Sequence, residues 1–231
     1  MVRNWATGVQ HNLYSLKLVS GMIVVPEGSM KRAFCVTIIG LLFMGASTAP
    51  QVIVFYGDSL TAGYGIDPDA AFPALVGKAL ESKGKEVKVV NAGLSGETSA
   101  GGLSRIDWVL RQPVDIFVLE LGANDGLRGL PIEQTEKNLQ AIIDKVRAKN
   151  PRVKIVIAGM MVPPNMGPDY SARFQKVFPE LARRNDAALI PFLLQDVAGI
   201  ESLNQADGIH PNVEGHRIVA RNVLKVLEPL L

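Results

Sequence analysis

Cysteine is nearly absent: Cys35 is the single one in 231 residues, so no internal disulfide can form, and no Cys/His cluster has zinc spacing. Histidine is almost as scarce. His11, His210 and His216 are the whole supply, which nearly excludes metal centres built on imidazole. Charge of one sign is also missing. Four of the 24 bases but only one of the 22 acids fall in residues 1–49, leaving 20 bases against 21 acids beyond. No basic run is interleaved with aromatics, which argues against a nucleic-acid partner. The phosphate-cradling pattern G-x-x-x-x-G-K-[ST] does not occur, and neither does the G-x-S-x-G nucleophile elbow. What the chain does have is apolar content, 48% hydrophobic residues against 20% charged, the balance of a soluble globular protein with a full core.

The N-terminal region reads differently from the rest. Residues 30–49 are MKRAFCVTIIGLLFMGASTA: a basic pair, Lys31 and Arg32, then an apolar run of signal-peptide length, then small residues before Ala49. The run is too short to span a bilayer comfortably. The expectation is a signal peptide over 30–49 and export to the periplasm or beyond, with no stable membrane insertion after processing. The other reading of the run is a buried N-terminal helix. Residues 1–29 then stand outside the scheme, as a mis-called start or a non-native extension with Met30 the true beginning. Residues 50–231 are left as one domain, free of cysteine.

From Gln51 onward, short runs rich in Val and Ile alternate with helical patterns. Strands are expected at Val52–Tyr56, Val87–Asn91, Asp115–Leu121, Lys154–Ala158 and Ala188–Pro191, continuous enough to be buried on both faces. Helices are expected at Ala71–Lys83, Gly101–Arg111, Ile132–Lys149, Tyr170–Arg184 and Val213–Leu227. Pro131 fits as the first residue of its helix, and Pro179 is expected to kink or split the fourth. The alternation implies an α/β fold, a parallel sheet covered on both faces. In such sheets ligands bind beyond the carboxyl ends of the strands, so chemistry is to be sought in the loops there.

Four loops stand out: Gly57-Asp58-Ser59-Leu60, Asn91 to Thr98, Gly122-Ala123-Asn124-Asp125-Gly126, and Asp207-Gly208-Ile209-His210-Pro211-Asn212. Each alone is also ordinary turn chemistry. Ser59 reads either as a helix cap or as a nucleophile, and a nucleophile needs a base. His216, in the last predicted helix beside Arg217, reads as a solvated helix residue. His210 lies three residues after Asp207, close enough for one turn to let the aspartate orient the imidazole, as in a Ser-His-Asp triad. Asp58 reads as support for the turn, because adjacent residues point apart on leaving a strand. Gly96 permits close backbone approach and Asn124 carries an amide, both usual suppliers of oxyanion donors.

Taken together, GDSL with Ser59, the Gly96 block, GAND with Asn124, and DGIHPN with Asp207 and His210 resemble the GDSL, or SGNH, hydrolase family in order and spacing. The stretch from Asn91 through Pro131 is especially similar to its bacterial thioesterase I, lysophospholipase L1 and arylesterase branch. The resemblance runs from about Val52 to the C-terminus. It implies a flavodoxin-like three-layer α/β/α sandwich with a five-stranded parallel sheet. It implies Ser59, Asp207 and His210 as catalytic residues, and an oxyanion hole made by Ser59, Gly96 and Asn124. It implies no metal or cofactor, and a small-molecule ester as substrate: aryl esters, short-to-medium acyl esters, acyl thioesters or lysophospholipids. Walls of the acyl pocket are expected from Gly126–Pro131 and from Met160–Gly167, whose methionines adapt to varied apolar shapes or simply pack the core edge.

Two other functions compete. A polysaccharide acetyl esterase of the same superfamily would show an aromatic-lined groove, yet Trp108 is the one tryptophan beyond residue 49 and falls on a predicted helix away from the loops. An idle binding protein on the same fold would have no use for the full set Ser59, Gly96, Asn124, Asp207 and His210.

Overall fold

A computed structural model describes residues 49–231; the segment 1–29 and the expected signal peptide, apart from its last residue, lie outside the described residues. Five strands, β1 (Gln51–Gly57), β2 (Val87–Asn91), β3 (Ile116–Glu120), β4 (Lys154–Ala158) and β5 (Ala188–Ile190), form one sheet in the order β2-β1-β3-β4-β5. Every pairing is parallel. The helices are α1 (Ser59–Ala62), α2 (Phe72–Ser82), α3 (Ser99–Val109), α4 (Ala123–Leu127), α5 (Ile132–Lys149), α6 (Pro168–Arg184) and α7 (Val213–Leu227). The chain steps one way from β1 to β2 and the other way from β2 through β3, β4 and β5. Crossovers between parallel strands are right-handed, so this reversal sends α2 to one face and α3, α5 and α6 to the other. The packing agrees: α2 lies against α7, while α5 lies between α3 and α6. This is the three-layer, flavodoxin-like arrangement expected from the sequence.

The apolar pattern explains each layer. All five residues of β3 are buried, as a central strand covered on both faces requires. Helix α5 buries Ile132, Leu139, Ile142, Ile143 and Val146, spaced three and four apart on one stripe, and carries Arg147 and Lys149 in its last turn, where cations suit the carboxyl end. Helix α7 starts at Asn212, whose Oδ1 accepts from the N–H groups of Glu214 and Gly215. Among the described residues no helix is long and apolar enough to cross a membrane.

Four local expectations need correction. Strand β2 is not buried on both faces; it is an edge strand, with Lys88 and Asn91 exposed. Pro131 is the residue before α5 rather than its first, with extended backbone (ψ 123°). Pro179 does not split α6, which runs unbroken through it. A proline forfeits one backbone bond there, but Phe174, Val177, Phe178 and Leu181 are buried around it and hold the helix to the sheet. His216 is not solvated. It is 1% exposed, stacks on Phe72 with ring centroids 6.1 Å apart, and its Nδ1 accepts the Phe72 N–H at 3.2 Å. Burial, with a smaller push from His210, lowers its pKa from 6.5 to about 4.

Candidate active site

The strand order reverses at β1, so the loops after β1 and β3 diverge and leave a crevice at their carboxyl ends. Ser59 enters it as the first residue of α1. Asp58 caps that helix, its Oδ1 accepting the Leu60 N–H at 3.0 Å, so the cap of this turn is Asp58 and not Ser59. Gly57 must be glycine. A β-carbon on it would lie 2.2 Å from Thr61 Oγ1 and 2.6 Å from the Glu120 carbonyl oxygen.

The His210 loop is drawn onto this turn by Gln205, whose Nε2 donates to the carbonyls of Tyr64 at 2.7 Å and Pro211 at 3.0 Å. Within the loop, Asp207 Oδ1 accepts the N–H groups of Ile209 and His210, each at 3.0 Å. Asp207 Oδ2 lies 2.7 Å from His210 Nδ1, and His210 Nε2 lies 2.9 Å from Ser59 Oγ. The hydrogen bonds from the His210 backbone and ring lower the Asp207 carboxyl to about 2. It is therefore an anion at neutral pH and accepts a proton-bearing Nδ1. That fixes the neutral imidazole with Nε2 as an acceptor facing the Ser59 hydroxyl. Tyr64 packs on the His210 ring, centroids 4.7 Å apart.

Gly96 and Asn124 line the same cavity as Ser59 and His210. Gly96 takes a left-handed backbone (φ 79°), and Arg128 Nη2 donates to its carbonyl at 3.1 Å. The adjoining Glu97 is ion-paired with Arg105, which lies over the Tyr56 ring at 4.3 Å. Asn124 donates its amide to Asp58 Oδ2 at 3.0 Å and to the Glu97 carbonyl at 3.1 Å. The next residue, Asp125, is buried and accepts from Ser99 N–H at 2.8 Å, Ser99 Oγ at 2.5 Å and Thr135 Oγ1 at 3.2 Å. These bonds tie the Asn124 loop to the start of α3, just beyond Gly96.

Asp58 and Glu120 sit side by side beneath the turn, 1% and 0% exposed. Burial raises both carboxyls, Asp58 to about 6 and Glu120 well above the ordinary range, where Asp58 pushes it further. Asp58 does not touch His210 through a hydrogen bond; it serves the turn and Asn124.

A cavity of about 640 Å³ opens beside Ser59. Met160, Met161, Val162 and Leu127 form part of its wall, as expected, but Gly129, Leu130 and Met166 do not reach it. Phe192 and Leu194, which also line it, were not foreseen. Trp108 is 66% exposed on α3 and is not part of the cavity. Among the described residues no three His, Cys, Asp or Glu side chains gather as a metal site would require.

A serine within hydrogen-bond reach of an imidazole that is oriented by a carboxylate, at the carboxyl end of a parallel sheet, defines a serine hydrolase of the three-layer α/β class. The sequence itself assigns the family: residues 55–218 match the GDSL-like lipase/acylhydrolase family, and the chain belongs to it. It is 39% identical over 194 residues to a protein of Pseudomonas aeruginosa named Esterase TesA, covering 84% of this chain and 96% of that protein. It is 39% identical over 186 residues to the Escherichia coli protein named Thioesterase 1/protease 1/lysophospholipase L1, covering 80% of this chain and 87% of that one. A crystal structure titled as that of TesA superimposes with a TM-score of 0.75 at 40% identity, over 78% of this chain and all of that chain. The protein is an SGNH-type ester hydrolase.

Proposed function

We propose that the protein hydrolyses carboxylic esters through an acyl-enzyme, with Ser59 as nucleophile, His210 as general base and then acid, and Asp207 holding His210 in place. The observation that carries this reading is the unbroken chain from Asp207 Oδ2 through His210 to Ser59 Oγ, with gaps of 2.7 and 2.9 Å, ending beside an apolar cavity. His210 Nε2 takes the Ser59 proton as Oγ bonds to the carbonyl carbon. The resulting oxyanion is met by the N–H groups of Ser59 and Gly96 and by the Asn124 amide. His210 passes its proton to the leaving alkoxide, phenoxide or thiolate, which departs as the tetrahedral carbon collapses to the acyl-enzyme. Water, deprotonated by His210, then adds to the same carbon and releases the acid and free Ser59. Asn124 already donates to Asp58 and to the Glu97 carbonyl, so serving the oxyanion means sharing or exchanging one of those bonds.

The cavity supports the substrate assignment. Leu127, Met160, Met161, Val162, Phe192 and Leu194 offer an apolar wall for an acyl chain, and its volume of about 640 Å³ suits a small-molecule ester. We assign to it aryl esters and short-to-medium acyl esters, with acyl thioesters and lysophospholipids as related substrates. The signal-like residues 30–49 add export to this reading, and N-terminal sequencing of the protein from its host tests it: a mature chain starting near residue 50 supports export, and one retaining 30–49 refutes it.

The activity is tested by initial rates on p-nitrophenyl esters from acetate to palmitate, with Ser59→Ala and His210→Ala in parallel. Rates that peak at one chain length and vanish in both variants are expected. Undiminished hydrolysis by Ser59→Ala would refute the assignment.

A further inference from the structure

Glu120 is the least expected residue near the site. It closes β3 opposite Gly57 of β1, it is 0% exposed, and it faces no cation in any ion pair among the described residues. Its Oε2 accepts two hydrogen bonds, from the Asp58 N–H at 3.1 Å and from Thr61 Oγ1 at 2.7 Å. Asp58 and Thr61 bracket Ser59 on both sides. Its Oε1 has no partner among the described residues. The carboxyl reaches this place only because Gly57 lacks a side chain: a β-carbon there would lie 2.3 Å from Glu120 Oε2.

We propose that Glu120 is a positioning residue for ester hydrolysis: its carboxyl clasps the Asp58–Thr61 turn from below and fixes where the Ser59 hydroxyl and N–H point. This rests on Ser59 being the nucleophile. The backbone leaves β1 at Gly57 and must turn at once into a helix of only four residues, too short to hold its own direction. Asp58 Oδ1 secures the turn from within, through Leu60. Glu120 secures it from the sheet, and β3 is the most thoroughly buried strand of the sheet. The clasp therefore refers the nucleophile to the rigid centre of the molecule. It also stands behind the oxyanion donors, because Asp58, whose N–H it holds, accepts the Asn124 amide through Oδ2.

The role calls for an acceptor and not for a charge. Asp58 is the one ionisable side chain whose turn Glu120 touches, and two anions so close in a dry site are mutually unfavourable. Burial, and Asp58 beside it, raise the Glu120 carboxyl well above the ordinary range, and what both donors use is one of its oxygens, Oε2. An amide fulfils the same task.

The test compares Glu120→Gln, Glu120→Ala and Thr61→Val with the parent and with Ser59→Ala, all confirmed folded by circular dichroism at the assay temperature. Glu120→Gln is expected to keep kcat within about 3-fold and to leave the pH profile between 6 and 9 unchanged, since an oxygen acceptor for both donors is retained. Glu120→Ala is expected to lower kcat by about 10- to 100-fold with KM little changed, the scale of a misplaced reacting group. Its Ser59 labelling by a fluorophosphonate should slow in proportion. Thr61→Val removes one of the two clasped donors, is expected to lower kcat at least about 3-fold, and carries the test alone if Glu120→Ala does not fold. Parental kcat in a folded Glu120→Ala or in Thr61→Val overturns the proposal, as does a Glu120→Gln as impaired as Glu120→Ala. An active Ser59→Ala refutes instead the nucleophile assignment beneath it.

Discussion

His216 makes acid stability a measurable property of the fold. It is held neutral in the folded protein, accepting the Phe72 N–H through Nδ1 and stacked on the Phe72 ring, with its pKa lowered from 6.5 to about 4. The unfolded chain takes up a proton there as pH drops below about 6.5, while the folded protein does so only near pH 4. The unfolded state thus binds more protons between those values, and stability rises with pH across the window. The contribution is fully present above pH 6.5 and is lost as pH falls toward 4. The gap corresponds to about 3 kcal/mol, from 1.36 kcal/mol for each pH unit. Asparagine can present Oδ1 where Nδ1 stood and does not titrate. His216→Asn should therefore be less stable than the parent at neutral pH, by about 1–3 kcal/mol for the lost ring. That deficit should shrink by about 3 kcal/mol between pH 7.5 and 4. Urea unfolding of both proteins across that range measures it, and differencing the two curves cancels the carboxylates common to both. Parallel curves would refute the reasoning.

Asn124→Ala removes one of the proposed oxyanion donors and should lower kcat by about 10²- to 10³-fold with a small change in KM, read from steady-state kinetics. Asp207→Asn retains an acceptor for the loop but cannot hold the His210 tautomer as an anion does; kcat should fall by roughly 10⁴-fold while the circular dichroism spectrum is unchanged. Gly93→Ala places a β-carbon 2.3 Å from the Ala62 backbone nitrogen, so it should destabilise the protein by about 1–3 kcal/mol in denaturant titration.

The layers of the fold were legible because their signals are local. β-branched runs and helical stripes alternate along the chain, and the observed bounds of β2, β4, α5 and α7 coincide with the expected ones. The candidate site left local signals for a related reason: Ser59, Gly96, Asn124, Asp207 and His210 all fall at turns or helix starts where glycine, asparagine and aspartate cluster. Ser59, Gly96, Asn124 and His210 line one cavity, and Asp207 joins them through its hydrogen bond to His210. What escaped the sequence was what depends on distant partners. His216 looks like any polar helix residue until α7 packs on α2 and buries it against Phe72, which is 144 residues away along the chain. Glu120 ends an apolar strand and carries no local sign that it meets Asp58 and Thr61. Phe192 and Leu194 read as the loop after the last strand, and only the sheet order turns them toward Ser59. The short helices α1 and α4 are each a single turn at a strand end, below the length at which apolar spacing carries information.

The central claim is that Ser59, activated by His210, forms the covalent acyl-enzyme. Its most direct test is intact-protein and peptide mass spectrometry after exposure to a fluorophosphonate, which traps an activated serine as a stable adduct. The account predicts one adduct per chain, on the peptide containing Ser59, and none at a comparable rate in His210→Ala. Labelling at another residue, or a Ser59 that stays unmodified while the protein loses its esterase activity, would contradict it.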